Sequence, residues 1–144
     1  MATVIRPETS ENNPYWISRH RYYELKHWVM QYPEWERYLH DFEVWYPNPS
    51  NLSGASSSQV NFRNPTATEV EKRESCYWRI NNIRNTLMWA FDDINDKTLE
   101  HILEAIIHGW SYEKVKARYD IPCSKDYYYK RYRKFFWGLS EIRK

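Results

Sequence analysis

The sequence GWSYEKVKARYDIPCSKDYYYKRYRKFFW, residues 109–137, contains two helix starts separated by a turn. Ser111 and Ser124 suit the N-cap position, because a serine hydroxyl can accept a hydrogen bond from the first turn of a helix. Ile121-Pro122 lies between them, and the residue before a proline is pushed out of the helical backbone region. The two helices that we predict cover residues 112–119 and 125–142.

The longer of these helices is amphipathic and basic. Its apolar positions recur at i, i+4, i+7, i+8 and i+11, which places them on one face of a helix. The predicted inward-facing residues are Tyr128, Tyr132, Phe135, Phe136 and Leu139. The residues that the opposite face then presents to solvent are Lys125, Asp126, Tyr129, Lys130 and Arg133.

A preceding helix completes a pattern typical of DNA-binding helix-turn-helix elements. We predict it over residues 97–108, with Asp96 as its N-cap and Gly109 as its stop. In such an element a hydrophobic residue in the turn, here Ile121, holds the two following helices at a steep angle. The last helix can then enter the major groove by its N-terminal end while its cations contact the flanking phosphates. The sequence therefore favours double-stranded DNA as the partner of this region.

The predicted DNA contacts lie on the last helix, where Ser124 starts a row of backbone N–H groups that can hold a phosphate. Asp126 is the unusual member, because a carboxylate near DNA is costly unless it accepts from a cytosine amino group or orients a basic neighbour. The candidates for base edges are Lys125, Asp126, Tyr127, Tyr129 and Lys130. The candidates for phosphates are Arg131, Arg133 and Lys134.

Charge is distributed unevenly along the chain. Residues 112–144 carry ten basic and four acidic side chains, a net charge of +6, and the remainder carries −4, although the whole chain has only +2. Such a separation is typical of a polyanion-binding end on a near-neutral body. A solvated basic helix face would have the same composition, and charge does not separate the two interpretations.

The rest of the chain is also predicted to be helical. Apolar periodicity indicates helices over residues 15–31, 34–43 and 66–93. Thr66 and Glu69 have the spacing of a capping box at the start of the third. We therefore predict an all-α fold in which an N-terminal helical hairpin and a long helix precede the helix-turn-helix.

The predicted organisation has a tail, a helical region and a DNA-binding region. Residues 1–13 are polar and unpatterned, which predicts a disordered tail. Residues 46–65 are rich in Pro, Ser, Asn and Gly, which predicts a loop inside the helical region of residues 14–95. The helix-turn-helix region occupies residues 96–144.

An apolar stripe follows the long third helix with alternating steps of four and three residues, the period of a coiled-coil seam. Its members are Cys76, Ile80, Ile83, Leu87, Ala90 and Ile94. This spacing predicts packing along another helix, either of the same chain or of a second copy in a homo-oligomer. The sequence leaves both open.

Several functional classes lack support in the sequence. There is no run of about eighteen apolar residues, which a membrane span would need, and no secretory signal. The isolated thiols of Cys76 and Cys123 fit a reducing cytoplasm and have no metal-ligand spacing. No GxSxG, Walker or HExxH motif occurs. We therefore expect a cytoplasmic protein that binds rather than catalyses, without a metal or a cofactor.

Three motifs in order resemble the RinA-type phage late-gene transcription activators, relatives of the ArpU-like regulators. They are QYPEW at residues 31–35, NPTA at residues 64–67 and IPCS at residues 121–124. The DNA-binding half of that family is similar to region 4 of sigma factors. The resemblance implies a sequence-specific activator of phage late operons, with promoter DNA and RNA polymerase as partners. It also implies Ser124 as the cap and residues 125–134 as the reading segment.

A different class of function remains open. In it the chain is a helical adaptor whose long helix binds a phage or host protein, and the basic end touches DNA weakly or not at all. The salt dependence of duplex binding separates the two hypotheses, because phosphate contacts make affinity fall steeply with salt.

Overall fold

The computed structural model describes residues 13–47 and 64–143, which form six helices and no strand. The helices are α1 (Arg19–Val29), α2 (Tyr32–Trp45), α3 (Ala67–Ala90), α4 (Asp96–His108), α5 (Tyr112–Tyr119) and α6 (Lys125–Ile142). The predicted all-α fold is confirmed. The predicted tail and most of the predicted loop fall on residues 1–12 and 48–63, outside the described residues. Within the described part, no helix is long and apolar enough to cross a membrane.

Helix α2 begins two residues before its predicted start, at Tyr32, and α3 ends at Ala90 rather than at residue 93. The starts of α1 and α4 differ from the prediction because a neighbouring side chain caps the backbone instead. The Asn13 side chain accepts the N–H of Tyr15 at 2.9 Å, which makes a turn where a helix was predicted. The helix begins only after Ser18, whose hydroxyl accepts the N–H of Arg21 at 3.3 Å. For α4 the predicted N-cap Asp96 is wrong. Asn95 is the cap, accepting from Thr98 at 2.9 Å.

The capping box at the start of α3 is confirmed. The N–H of Glu69 donates to the Thr66 hydroxyl at 3.1 Å, and the N–H of Thr66 donates to the Glu69 carboxylate at 3.1 Å. The two reciprocal bonds satisfy N–H groups that have no partner inside the helix. The first turn of α3 is therefore fixed locally.

Contacts divide the chain into two compact units. One comprises the described residues up to Tyr32 together with those from Asn81 onward, and the other comprises Pro33–Ile80. The first unit holds α1, the second half of α3, and α4 to α6. The predicted functional boundary between residues 95 and 96 is a different kind of division, and it stays a prediction.

Helix α6 supplies much of the core of the first unit. All five residues predicted to face inward are buried: Tyr128, Tyr132, Phe135, Phe136 and Leu139. The ring of Tyr22 in α1 packs edge-on against Phe136, with centroids 5.1 Å apart, and its hydroxyl lies 3.1 Å from that of Tyr132. Burial raises the pKa of Tyr22 to about 12. Aromatic rings of α1 and α6 thus fill the space that aliphatic side chains fill in other cores.

At Gly138, α6 packs directly against α3. A Cβ atom at this position would lie 2.8 Å from Cγ2 of Thr86 and 2.9 Å from Cζ3 of Trp89. Gly138 is buried, and the packing of the two helices here depends on the missing side chain.

The second unit pairs α2 with the first half of α3. The Arg79 guanidinium lies 5.4 Å from the centre of the Trp35 ring, and the Lys72 ammonium lies 4.4 Å from that of Tyr38. Further along, the Tyr46 hydroxyl donates to the Glu69 carboxylate at 2.6 Å. Since α3 residue numbers fall as α2 numbers rise, the two helices run antiparallel, and cations of α3 cover aromatic rings of α2.

The apolar stripe of α3 packs within the chain. Cys76, Ile80, Ile83, Leu87 and Ala90 are all buried in a single copy, and Ile94 lies beyond the helix and is half-buried. The stripe is therefore buried without a second copy of the chain.

Two tyrosines of α6 offer a matched test of this core. The Tyr128 hydroxyl is buried without a hydrogen-bond partner among the described residues, whereas the Tyr132 hydroxyl bonds to Tyr22. An unpaired buried hydroxyl costs free energy, and a paired one does not. We expect Tyr128→Phe to raise the free energy of unfolding by about 1 kcal/mol and Tyr132→Phe to lower it by a similar amount. Urea unfolding of the two variants measures both, and equal losses would contradict this difference in hydrogen bonding.

Candidate nucleic-acid interface

The connection between α5 and α6 is a tight turn with a buried anchor. Helix α5 ends at Tyr119, and its C-cap Asp120 has a left-handed backbone (φ 48°), a conformation that Asp tolerates better than most residues. Ile121 follows and is 1% exposed. The Ser124 hydroxyl then accepts the N–H of Tyr127 at 3.2 Å and starts α6. The predicted cap and the predicted hydrophobic turn residue are both confirmed.

Two side chains of α5 donate hydrogen bonds to backbone carbonyls of the turn. The Tyr112 hydroxyl donates to the carbonyl of Cys123 at 2.6 Å, and the Lys116 ammonium donates to that of Ile121 at 2.8 Å. Lys116 also pairs with Asp120 at 3.1 Å, and this hydrogen bond raises the pKa of Lys116. The Ile121 carbonyl also accepts the N–H of Cys123 at 2.9 Å, so side-chain and backbone hydrogen bonds together join α5 to the turn that precedes α6.

The N-terminal end of α6 is exposed. Ser124, Lys125, Asp126 and Lys130 all lie at the surface. The Lys125 ammonium pairs with the Glu113 carboxylate of α5 at 2.6 Å, and this hydrogen bond raises the pKa of Lys125. Four of the nine predicted contact residues can therefore contact a ligand from solvent. One of them, Lys125, would first have to release Glu113.

Tyr129 does not lie on the outer face, and the prediction that placed it there is wrong. Its side chain is buried, and its hydroxyl accepts the backbone N–H of Tyr112 at 3.1 Å. An N–H at the start of α5 has no partner within its helix, and Tyr129 supplies one. Tyr129 therefore joins α6 to α5, and its burial opposes direct contact with a base.

Tyr127 and Arg131 bind the end of α3. The Arg131 guanidinium donates to the Ala90 carbonyl at 3.3 Å and to the Asp92 carboxylate at 3.1 Å. The Tyr127 hydroxyl donates to the Asp93 carboxylate, and this hydrogen bond lowers the pKa of Asp93. Burial raises the pKa of Tyr127 to about 12. Both side chains lock α6 onto α3, so they are less available for DNA than the sequence suggested.

The remaining two predicted residues, Arg133 and Lys134, lie in the middle of α6. Arg133 is half-buried, and its Nε has no acceptor among the described residues. The Lys134 ammonium lies 4.4 Å from the centre of the Trp89 ring. Arg133 occupies the same face as Asp126 and Lys130, since residues three and four apart are neighbours on a helix.

Helix α5 adds two cations that are not among the predicted contact residues. Lys114 and Arg118 are exposed, and both lie about 5 Å from the centre of the Trp110 ring, at 5.0 Å and 5.1 Å. Their spacing of four residues already places them on one face of the short helix. We use the name α5–α6 face for the basic residues that these two helices present at least partly to solvent, namely Lys114, Arg118, Lys125, Lys130 and Arg133, together with Asp126.

In the part of the chain that the structure describes, no group of three His, Cys, Asp or Glu side chains could hold a metal ion.

No protein-family model, curated protein or solved structure matches the chain.

Proposed function

We propose that the chain binds double-stranded DNA through the α5–α6 face and acts as a sequence-specific transcription activator. The observation that carries the proposal is the exposed N-terminal end of α6, held at a fixed angle by a capped turn and backed by a buried aromatic face. A helix presented in this way can lie in the major groove, whose width admits one helix. The resemblance to RinA-type activators adds phage late operons as targets, RNA polymerase as a second partner, and a cytoplasmic, nucleoid-associated location.

The α5–α6 face carries enough positive charge to bind a duplex. Five cations on two adjacent helices can contact phosphates on both sides of a groove, and each contact releases condensed counterions. The logarithm of the affinity should then fall against the logarithm of the salt concentration with a slope of about −4. Sequence preference would come from the fewer side chains that reach base edges.

The test is a duplex titration with the full chain. Footprinting on DNA that neighbours its own gene should show a protected site, and anisotropy titrations at several salt concentrations should give the steep slope. A slope near zero on that DNA, with no protected site, would reject the proposal. The spacing of protected half-sites would also report whether two copies bind side by side.

Removal of the Glu113 carboxylate should strengthen binding to any duplex. In Glu113→Gln the Lys125 ammonium loses its partner and a negative charge leaves the α5–α6 face. We expect up to about fivefold tighter binding and a steeper salt slope, since the Lys125 ammonium is then available to a phosphate and an exposed ion pair is weak. Competition titrations at two salt concentrations measure both. Weaker binding would mean that Glu113 helps to position Lys125 rather than to mask it.

The adaptor function is a second candidate because the second unit exposes large apolar side chains. Val44, Trp45 and Trp78 are 63%, 52% and 51% exposed. Aromatic side chains at a protein surface are typical of protein interfaces. If the adaptor function is the main one, Trp45→Ala should abolish partner capture while the salt slope on duplex DNA stays shallow in every variant.

A further inference from the structure

Asp126 and Lys130 occupy one ridge of α6. They are four residues apart, so they are neighbours on the helix surface, about 6 Å apart along the axis. Both side chains are exposed. The ridge lies on the first two turns of α6, the part that a recognition helix presents to base edges.

The Asp126 carboxylate has no hydrogen-bond or ion-pair partner among the described residues, although its charge interacts at longer range with that of Lys125. Lys125 is bound to Glu113, and within the described residues neither Asp126 nor Lys130 makes a hydrogen bond or an ion pair. An unpaired carboxylate in the middle of the α5–α6 face weakens attraction to phosphates. A compensating contact in the complex would remove that cost.

We propose that Asp126 accepts a hydrogen bond from the amino group of a cytosine and that Lys130 donates to a guanine nearby. The inference rests on the proposed binding of duplex DNA and names the bases that the same face reads. In the major groove cytosine presents its N4 amino group as a donor, while guanine presents N7 and O6 as acceptors. Adenine also has an amino group, but its N7 acceptor lies beside it and repels a carboxylate.

Asp126 of α6 and Glu113 of α5 occupy the same position in their helices, but their carboxylates differ in what they contact. Asp126 and Glu113 each lie two residues after a capping serine, where a negative charge interacts favourably with the helix dipole. Glu113, however, is also paired with Lys125, whereas Asp126 points its charge to solvent. The dipole interaction acts on both acids, whereas only Asp126 keeps its carboxylate available to a ligand from solvent.

The spacing of the two side chains sets the expected spacing of the two bases. An axial separation of about 6 Å corresponds to roughly two steps of a duplex whose bases rise by ~3.4 Å. The preferred site should therefore contain a required cytosine and a required guanine within about two base pairs of each other.

The test is selection from a random duplex library with the full chain and with Asp126→Asn. An asparagine amide can bond to both N6 and N7 of adenine, so the variant should change the preference at one position from cytosine to adenine. Replacing that cytosine in the wild-type site should weaken binding by roughly 5- to 100-fold. Asp96→Asn is the matched control, because it removes the same charge from the first turn of α4 and should leave the selected site unchanged.

The outcomes separate the inference from the proposed function. Enrichment of a site whose base preferences are the same for the wild type and Asp126→Asn overturns the reading by Asp126 and leaves DNA binding standing. No enrichment, together with no duplex affinity, overturns both. Circular dichroism of Asp126→Asn checks that α6 still forms, as expected for an exposed substitution.

Discussion

Leucine in place of Gly138 is expected to lower the free energy of unfolding by about 2 kcal/mol. A Cβ atom here would already lie within 3 Å of Thr86 and Trp89, and the rest of the leucine side chain has no space between α6 and α3. Overpacking of a core costs about 1–3 kcal/mol, and leucine regains at most about 1 kcal/mol through its better helix propensity. Urea unfolding followed by circular dichroism measures the loss.

A control on the same helix separates crowding from the nature of leucine. Glu141 is exposed near the end of α6, so Glu141→Leu adds the same side chain where space is open. We expect that variant to stay within about 0.5 kcal/mol of the wild type. Equal stability of Gly138→Leu and Glu141→Leu would show that α3 and α6 do not pack closely at Gly138.

The bounds of α5 and α6 could be predicted from the sequence because local interactions set them. Ser111 and Ser124 each bond to the first turn of the helix that follows, and these contacts span three residues. Helix starts with two competing caps could not be decided in the same way. Asn95 and Asp96 are equally good N-caps, and the sequence does not say which one the backbone uses.

The candidate site was only partly predictable, because some of its residues have partners far along the chain. Arg131 bonds to residues 39 and 41 positions earlier, which no local pattern indicates. Tyr129 lies at the edge of the buried face of α6, where the apolar periodicity does not decide whether a side chain is buried or exposed. Its burial depends on the N–H of Tyr112, a contact between two helices. The exposed residues at the start of α6 needed only the helix and its cap, and they were predicted correctly.

The double variant Lys130→Ala with Arg133→Ala is expected to weaken duplex binding about 100-fold. Lys130 is the exposed cation of α6 that no acid of the described chain holds, and Arg133 follows it on the same face. A lost base contact costs about 1–3 kcal/mol, and a lost phosphate contact reduces the salt slope by about 1. The variant should therefore show both a lower affinity and a salt slope that is shallower by between about 1 and 2. Anisotropy titrations on the footprinted site at four salt concentrations measure the two quantities together.

The chain offers a matched control for this loss of charge. Lys97 of α4 and Arg37 of α2 are also exposed, and Lys97→Ala with Arg37→Ala removes the same two residue types from helices other than α5 and α6. If binding depends on the place of the charges, this control keeps most of its affinity and the slope of the wild type. If it weakens binding as much as the first pair does, the attraction comes from net charge, and α6 has no special part in it. The comparison therefore tests position rather than charge, which is the property that distinguishes a groove-reading helix from a basic surface.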